Sequence, residues 1–534
     1  MEHADRSTPY RARWWALAVL CLSLTIIGID NTIVNVALPT LVRDLRASAS
    51  ELQWIVDSYV LVFAGLLLTA GALGDRFGRK LALDVGLLIF AGGSLWATFA
   101  DSPETLIAGR AVMGIGGAFI MPATLSIITN VFPASERAKA IGIWAAFAGL
   151  GVVAGPVVGG WLLEDYWWGS VFLINVPIIV VALTFGAFLI PESKDPSIAR
   201  LDPVGAVLSI AALGALVYAI IEAPAEGWTD GTILSIFGAA AVLIVLFIVW
   251  EMRTATPMLD MAFFRNARFS ASSAAITLVF FALFGSVFVL TQYLQFVLGY
   301  SPFEAGVRMT PVAALIFSAP ASAKLSMKVG TKKVVAVGLT LVSIGLYMMS
   351  TFTTTTEYGS IATALVILGL GMGATMAPAT DAIMGSLPLA KAGVGSAMND
   401  TTRMVGGALG VAAIGSVLTS AYSASLDGIS RVIPEKVLAN LPPQASEVIQ
   451  DSVGAATAVA RRISAQVDPA IGERLRDAAH AAFVDGMGTS VLVAAGVALF
   501  GAIVALVFLP AHESEVAQES HYGDDDLALG ARAG

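Results

Sequence analysis

The chain has 534 residues, of which 57% are hydrophobic and only 13% are charged, and its mean hydropathy is +0.81. This composition excludes an ordinary soluble globular protein and is typical of a polytopic membrane protein. The net charge of −9 comes largely from the last 25 residues, and it gives no reason to expect a nucleic-acid partner.

Fourteen apolar stretches of roughly 20 residues follow one another along the chain. A hydrocarbon core about 30 Å thick needs about 20 helical residues per crossing, and backbone groups inside it must be bonded within the segment. The sequence therefore predicts an all-α integral membrane fold. The predicted spans cover residues 14–37, 54–73, 81–100, 105–127, 140–162, 169–190, 203–222, 232–250, 271–296, 306–324, 334–352, 360–382, 394–419 and 487–509.

The basic residues predict the orientation of these spans. If the N-terminus is cytoplasmic, the inner segments hold eighteen Lys and Arg, whereas the short outer loops hold only Arg43, Arg46 and Arg308. This asymmetry follows the positive-inside rule. Residues 1–13 are then a cytoplasmic segment, and residues 510–534 form an acidic cytoplasmic tail.

Several kinds of cofactor chemistry lack their usual residues in this sequence. The single cysteine, Cys21, lies in the first span, so no intramolecular disulfide is expected. All four histidines lie outside the predicted spans, and no glycine-rich phosphate-binding motif is present. We therefore expect no metal, no cofactor and no enzymatic activity.

Two pairs of similar sequence runs show that the chain contains an internal repeat of two halves. The run from Gly71 to Lys80 resembles the run from Lys324 to Lys333, and the run from Gly117 to Thr124 resembles the run from Gly373 to Thr380. The offsets are similar, so spans 1–6 correspond to spans 9–14. The predicted units are a six-helix half at 14–190, a linker at 191–202, two inserted helices at 203–250, and a second six-helix half at 271–509.

Two six-helix halves related by an axis along the membrane normal are the architecture of the major facilitator superfamily. The loop around Asp75 resembles that superfamily's signature, Arg110–Gly117 resembles its helix 4 motif, and Gly151–Gly160 resembles its antiporter motif. The run Asp30–Pro39 is similar to the motif of the fourteen-helix drug:proton antiporters. The resemblance covers about residues 13–510.

The resemblance implies a proton-coupled exporter of lipophilic, often cationic drugs in the bacterial inner membrane, driven by the proton gradient and functional as a monomer. Two alternatives remain at this point: a proton-coupled solute importer and a lipid-handling protein of the same fold. The expected gating residues are Gly71, Asp75, Arg76, Gly78, Arg79, Gly151, Gly155, Pro156 and Gly159.

Ionisable side chains within the bilayer are functional candidates because each is costly to bury. Asp30 and Arg110 both lie about two helical turns below the outer end of their span, so they can form a pair whose loss lets Asp30 take a proton. A static structural ion pair is the alternative. Asp57 is either an interfacial cap or a proton-coupling residue in an acidic mouth that attracts or releases cations. Asp381 is the preferred acid of the second half because Asp400 has a local partner, Arg403, at (i, i+3).

The spacing of the glycines in span 5 has a separate meaning. Gly151, Gly155 and Gly159 recur every four residues, which allows another helix to approach closely, and Pro156 removes one helical hydrogen bond. Such patterns also occur in ordinary helix packing, and the gating role is what the resemblance adds.

Aromatic residues are the candidates for substrate contact, since they bind flat lipophilic cations by stacking and cation–π interactions. Packing against lipid or other helices is the alternative for each of them. The candidates are the aromatic residues Trp54, Tyr59, Trp144, Phe147, Tyr293 and Phe296, together with Met376.

The segment at 421–484 is much longer than any other loop and is predicted to lie outside the membrane. Charges at helical spacing in Ser446–Asp451 and Glu473–Asp477 predict amphipathic helices over the outer mouth. A solvated cover and a binding surface for an external partner are both compatible with this pattern.

Overall fold

The computed structural model describes residues 8–194, 202–257, 259–386, 392–426, 449–450 and 452–510. Within these residues the chain forms seventeen α-helices and three short helical turns of other types, and no strand. The helices are α1 (Thr8–Asp44), α2 (Ala49–Phe77), α3 (Arg79–Thr98), α4 (Pro103–Val131), α5 (Ala134–Asp165), α6 (Ser170–Leu173), α7 (Asn175–Leu189), α8 (Pro203–Glu226), α9 (Gly231–Arg253), α10 (Ala267–Gln292), α11 (Pro302–Arg308), α12 (Ala314–Val329), α13 (Thr331–Ser350), α14 (Tyr358–Gly385), α15 (Ala392–Ser425), α16 (Val453–Gln466) and α17 (Pro469–Phe508).

The predicted all-helical membrane architecture is confirmed. Thirteen helical segments of the described residues are long and apolar enough to cross a membrane. The predicted span at 140–162 lies within α5, several of whose side chains are outside the described set. The number fourteen therefore stays a prediction.

The two halves repeat the same packing. In the first half α1 packs against α5, and α4 packs against both α2 and α3; in the second half α10 packs against α15, and α14 packs against both α12 and α13. The last helix of the first half, α7, contacts α1 and α3. The last helix of the second half, α17, contacts α10 and α13 in the same way. The structural repeat thus matches the correspondence of spans 1–6 with spans 9–14.

The halves meet near one side of the bundle, which we call the outer side; the inner side is the one that carries the loop around Asp75. Gln295 Nε2 donates a hydrogen bond to the Val36 carbonyl (2.9 Å) between the second and first halves. The backbone of Gly160 on α5 lies against that of Phe303 on α11. These contacts close the outer side.

The inserted pair α8–α9 occupies the edge of the bundle. Helix α8 contacts both α2 and α15, whereas α9 packs on α8 and exposes Leu234, Val242 and Val245. At the inner end Trp250 Nε1 donates to the Asp202 carboxylate (2.9 Å), which ties α9 to the start of α8.

Two elements differ from the boundaries predicted from the sequence. The sixth predicted span is divided into α6 and α7 at Ile174, although Ile174 keeps helical backbone angles (φ −57°, ψ −27°). The sequence predicts that the last span begins at residue 487, but α17 begins at Pro469. Its first turns are amphipathic, and Ile471, Leu475 and Ala479 are buried at helical spacing where α17 contacts α16.

Several predicted segments lie wholly or partly outside the described residues. They are residues 1–7 of the N-terminal segment, 195–201 of the linker, 427–448 and 451 of the outer loop, which include most of Ser446–Asp451, and 511–534 of the acidic tail.

Candidate functional site

The centre of the first half contains a buried ion pair. Asp30 on α1 and Arg110 on α4 are 0% and 1% exposed, and Arg110 Nη1 lies 2.5 Å from Asp30 Oδ2. The structure therefore brings together the two residues whose matching depth predicted a pair. Two charges at this burial are stable only when their remaining hydrogen-bonding groups are also satisfied.

Neighbouring helices provide some of these hydrogen bonds. Asn175 Nδ2 reaches Asp30 Oδ1 at 3.4 Å and the Ser94 hydroxyl at 3.2 Å. Arg110 Nε donates to the Ile55 carbonyl of α2 at 3.1 Å. Three other groups, from α2, α3 and α7, thus surround the pair between α1 and α4, and a movement of any of these helices changes its geometry.

Aromatic rings cover the guanidinium group of Arg110. Its Cζ lies 4.4 Å from the centre of the Tyr59 ring and 5.9 Å from that of Phe172. Tyr59 is fully buried and also packs against Phe63 and Phe90. Tyr59, a predicted substrate contact, is therefore buried against the ion pair, where its cation–π partner is Arg110.

Asn175 was not among the residues expected at the site. The sequence alone does not say that its amide reaches Asp30. Asn175 is the first residue of α7, which packs against α1 and α3. A charged acceptor on one side and the Ser94 hydroxyl on the other then fix its amide group.

Asp57 on α2 is a second buried acid of the first half. Its side chain is 0% exposed, and within the described residues neither carboxylate oxygen has a hydrogen-bond partner. The expected alternative, an interfacial cap, would place the carboxyl at a helix end or in water. The structure instead encloses Asp57 two turns inside α2, which begins at Ala49.

The glycines of α5 lie against α1, the helix that carries Asp30. A Cβ on Gly151 would lie 2.9 Å from the Thr25 carbonyl oxygen, and one on Gly155 would lie 2.8 Å from that of Ile29. Gly159 likewise meets Ile33. The glycine face is therefore a close seam between two helices, and it does not point to lipid.

The predicted gating loop forms the turn between α2 and α3 on the inner side. Arg79 Nε pairs with Asp75 Oδ1 at 2.6 Å, and Arg76 lies over the exposed ring of Phe77. Gly78 has a φ of 142°, a conformation that L side chains rarely adopt.

Contacts with neighbouring helices fix this loop in place. The amide of Arg79 donates to the Ser193 carbonyl, and Lys80 Nζ donates to the Ala187 carbonyl at the end of α7. Gly71 lies against Pro122 on α4. The loop thus connects α2, α3, α4 and α7 on the inner side of the first half.

The other aromatic candidates are not gathered at one place. Trp144 is buried and donates to the Thr124 hydroxyl on α4 (3.1 Å), whereas Phe147, one turn further along α5, is 41% exposed. Met376 on α14 is half-buried. The indole of Trp54 donates to Glu222 on α8.

Tyr293 and Phe296 lie at the outer end of the second half. Tyr293 is fully buried, stacks on Phe352 and donates to the Thr353 carbonyl, whereas Phe296 approaches Gly454 on α16. Phe296 and Gln295 line an outer vestibule of about 1200 Å³ between the ends of α1 and α10 and the helices α16 and α17.

The acids of the second half lie near the inner ends of α14 and α15. Asp381 is exposed, with no hydrogen bond described, whereas Asp400 is buried and lies 3.8 Å from Arg403. Arg403 also contacts Thr380 on α14. The local pairing predicted for Asp400 and Arg403 is therefore present.

Comparison with known proteins gives a consistent family. A family model described as Major Facilitator Superfamily matches residues 20–411. The multidrug efflux pump LfrA of Mycolicibacterium smegmatis is 39% identical over 499 residues, covering 93% of this chain and 96% of that protein. The tetracenomycin C resistance and export protein of Streptomyces glaucescens is 34% identical, with coverage of 95% and 93%.

A third relative and a solved structure agree. The methyl viologen resistance protein SmvA of Salmonella typhimurium is 36% identical, with 88% of this chain and 93% of that protein covered. The inward-facing, unoccupied crystal structure of a bacterial homologue of the human lysosomal transporter Spinster has a TM-score of 0.64 at 19% identity and covers 95% of this chain and 99% of its own. At that identity the match shows a common fold.

Proposed function

Because this chain belongs to the Major Facilitator Superfamily, we propose that it exports lipophilic, often cationic drugs across the bacterial inner membrane in exchange for protons. The drug substrate is supported by two relatives, one named as a multidrug efflux pump and one as an antibiotic resistance and export protein. This chain matches both over nearly their whole length. The buried Asp30–Arg110 pair is the observation that carries the proton coupling. Both termini then lie in the cytoplasm, and the protein acts as a monomeric carrier without a cofactor or enzymatic activity.

The mechanism begins from the state with a closed outer side. Substrate enters from the inner side while Asp30 is paired with Arg110 and Asn175. When the halves rock and the outer contacts separate, α1 moves relative to α4, and the pair lengthens. Asp30 loses the charge that favours its ionised form and takes a proton from outside.

Asp57 is the proposed second proton carrier. An unpaired charge is costly to bury, so Asp57 keeps its proton while the outer side closes. It gives that proton to the inner medium when a cationic drug binds from the inner side, and it is reloaded after the outer side opens. Two carriers matter for the driving force, since one charge crossing 100 mV is worth about 2.3 kcal/mol. One-for-one exchange of a proton for a monovalent cation moves no net charge, whereas two protons use the membrane potential as well.

Purified protein in liposomes provides the test. Addition of tetraphenylphosphonium or ethidium to one side is expected to release protons from wild-type protein, and an imposed pH gradient is expected to concentrate the same cation. An importer would accumulate its solute in energised cells, and a lipid-handling protein would move labelled lipid while no soluble drug releases protons. Accumulation of a solute in energised cells, or movement of labelled lipid, would contradict the proposed drug export if no drug released protons.

A further inference from the structure

The inserted helix α8 bridges the two halves near the outer side. Trp54 Nε1 of α2 donates to Glu222 Oε1 of α8 at 2.9 Å. On the other flank, the Ser416 hydroxyl of α15 donates to the Ile220 carbonyl of α8 at 2.6 Å. Helix α8 therefore covers the line along which α2 and α15 meet.

Two contacts fix the register of α8 against α2. Gly65 lies against Ile210, and Trp54 bonds to Glu222, so the helices run antiparallel. Asp57 is then opposite Ala219, which is fully buried. Glu222 lies one helical turn, or about 5 Å, further toward the outer side than Asp57.

The direction of the Asp57 side chain follows from its neighbours on α2. Gln53 contacts Gly415 on α15, and Trp54 contacts α8. With about 100° per residue, Asp57 points between these two directions, about 40° from Gln53 and 60° from Trp54. Its carboxyl group therefore faces the junction of α2, α8 and α15.

The other groups around this junction are mostly neutral. Helix α15 presents serines there and has no acid or base between residues 404 and 425, and the ring of Tyr218 on α8 packs against Trp54. Glu51 on α2 is bonded to the Ser48 amide, and Asp230 caps the start of α9. Glu226 is exposed at the end of α8.

Building on the proposed proton exchange, we propose that Glu222 is the residue through which Asp57 exchanges its proton with the outer medium. Glu222 is half-buried, so one carboxylate can meet both water and the junction. In the reloading step its carboxylate takes a proton from water, forming an O–H bond. It then passes that proton to the ionised carboxylate of Asp57, which becomes neutral as Glu222 regains its charge.

Trp54 has a positioning role in this step. Its indole N–H can only donate, so it bonds best to ionised Glu222 and more weakly to the protonated acid. Protonation therefore weakens one contact between α2 and α8 just when the carboxyl group must turn toward Asp57.

The test compares Glu222→Gln with Glu226→Gln, its matched control on the same helix. In liposomes, Glu222→Gln is expected to slow reloading from the outer side about tenfold, with drug affinity and drug exchange unchanged. Glu226→Gln is expected to behave as wild type, and Glu222→Asp to restore most of the rate. Trp54→Phe, which keeps both acids, is expected to slow reloading less.

Combination with Asp57→Asn separates a relay from a structural contact. A relay has nothing to deliver once Asp57 is removed, so Glu222→Gln should then add no further loss. Equal rates for the Glu222 and Glu226 variants, or an undiminished added loss in the Asp57→Asn protein, would overturn the inference while leaving the proposed antiport intact. Absence of drug-driven proton release in wild type would instead remove the proposed function itself.

Discussion

Gly306 on α11 lies directly against the carbonyl group of Pro156 on α5, so the two halves touch backbone to backbone. A side chain at residue 306 would overlap that carbonyl. Helix α5 therefore faces α1 through its glycines and the opposite half through the region of Pro156 and Gly160.

Gly306→Leu is expected to hold the outer side open. Overpacking costs about 1–3 kcal/mol, and 1.4 kcal/mol changes an equilibrium about tenfold. In a Cys21→Ser background, Val36→Cys, which is buried at the outer contacts, should then react at least several-fold faster with an impermeant thiol reagent. Gly359→Leu, whose Cβ meets nothing within 4 Å, is the control; equal labelling in both variants would contradict the prediction.

Asp30→Asn is expected to abolish uphill export and to retain part of the drug exchange. The amide keeps an oxygen that can accept from Arg110, but it cannot take up a proton. Exchange down a drug gradient needs only the conformational cycle. The measurement is pH-driven uptake beside counterflow in the same liposomes, and concentration of drug with an intact pH dependence would make Asp30 a structural residue.

Asp75→Asn is expected to reduce transport about tenfold, equivalent to 1.4 kcal/mol on the limiting step, while insertion stays normal. The Asp75–Arg79 pair is only partly buried, so its loss costs about 1 kcal/mol of stability or less. Efflux is measured at matched membrane levels. The exposed Asp44→Asn variant provides a charge control, and wild-type efflux in Asp75→Asn would exclude a gating role.

Gly155→Leu is expected to block the seam between α5 and α1. The new side chain meets Thr32 and the Ile29 carbonyl, so α1 is displaced together with Asp30. We expect turnover to fall at least tenfold, which corresponds to 1.4 kcal/mol. Gly238→Leu on α9, where nothing lies within 4 Å, should turn over as wild type. If both variants keep normal turnover, the seam does not take part in alternation.

The sequence predicts the features that depend on composition and periodicity. Hydropathy located the spans, and depth along two helices placed Asp30 beside Arg110. It could not predict that Asn175 completes the site, since that contact depends on how α7 packs against α1 and α3. Nor could it separate Tyr59 and Tyr293 from substrate contacts, because burial against Arg110 and Phe352 is decided by side-chain packing.

The sequence predicts even less about the contacts of the inserted helices. Their apolar composition predicts two spans but does not distinguish a lipid-facing pair from one that contacts the halves. The bond between Trp54 and Glu222 joins residues 168 positions apart in the chain. Only the folded structure shows that α8 takes part in the outer junction, whereas α9 is exposed.

Helix α17 spans the membrane and continues beyond it on the outer side. Its 40 residues extend about 60 Å, about twice the thickness of the hydrocarbon core. One continuous helix is therefore both a span of the second half and a wall of the outer vestibule. Any tilt of that half rotates the outer part of α17 by the same angle. The outer end of α17 is therefore displaced further than the part of the helix inside the bilayer.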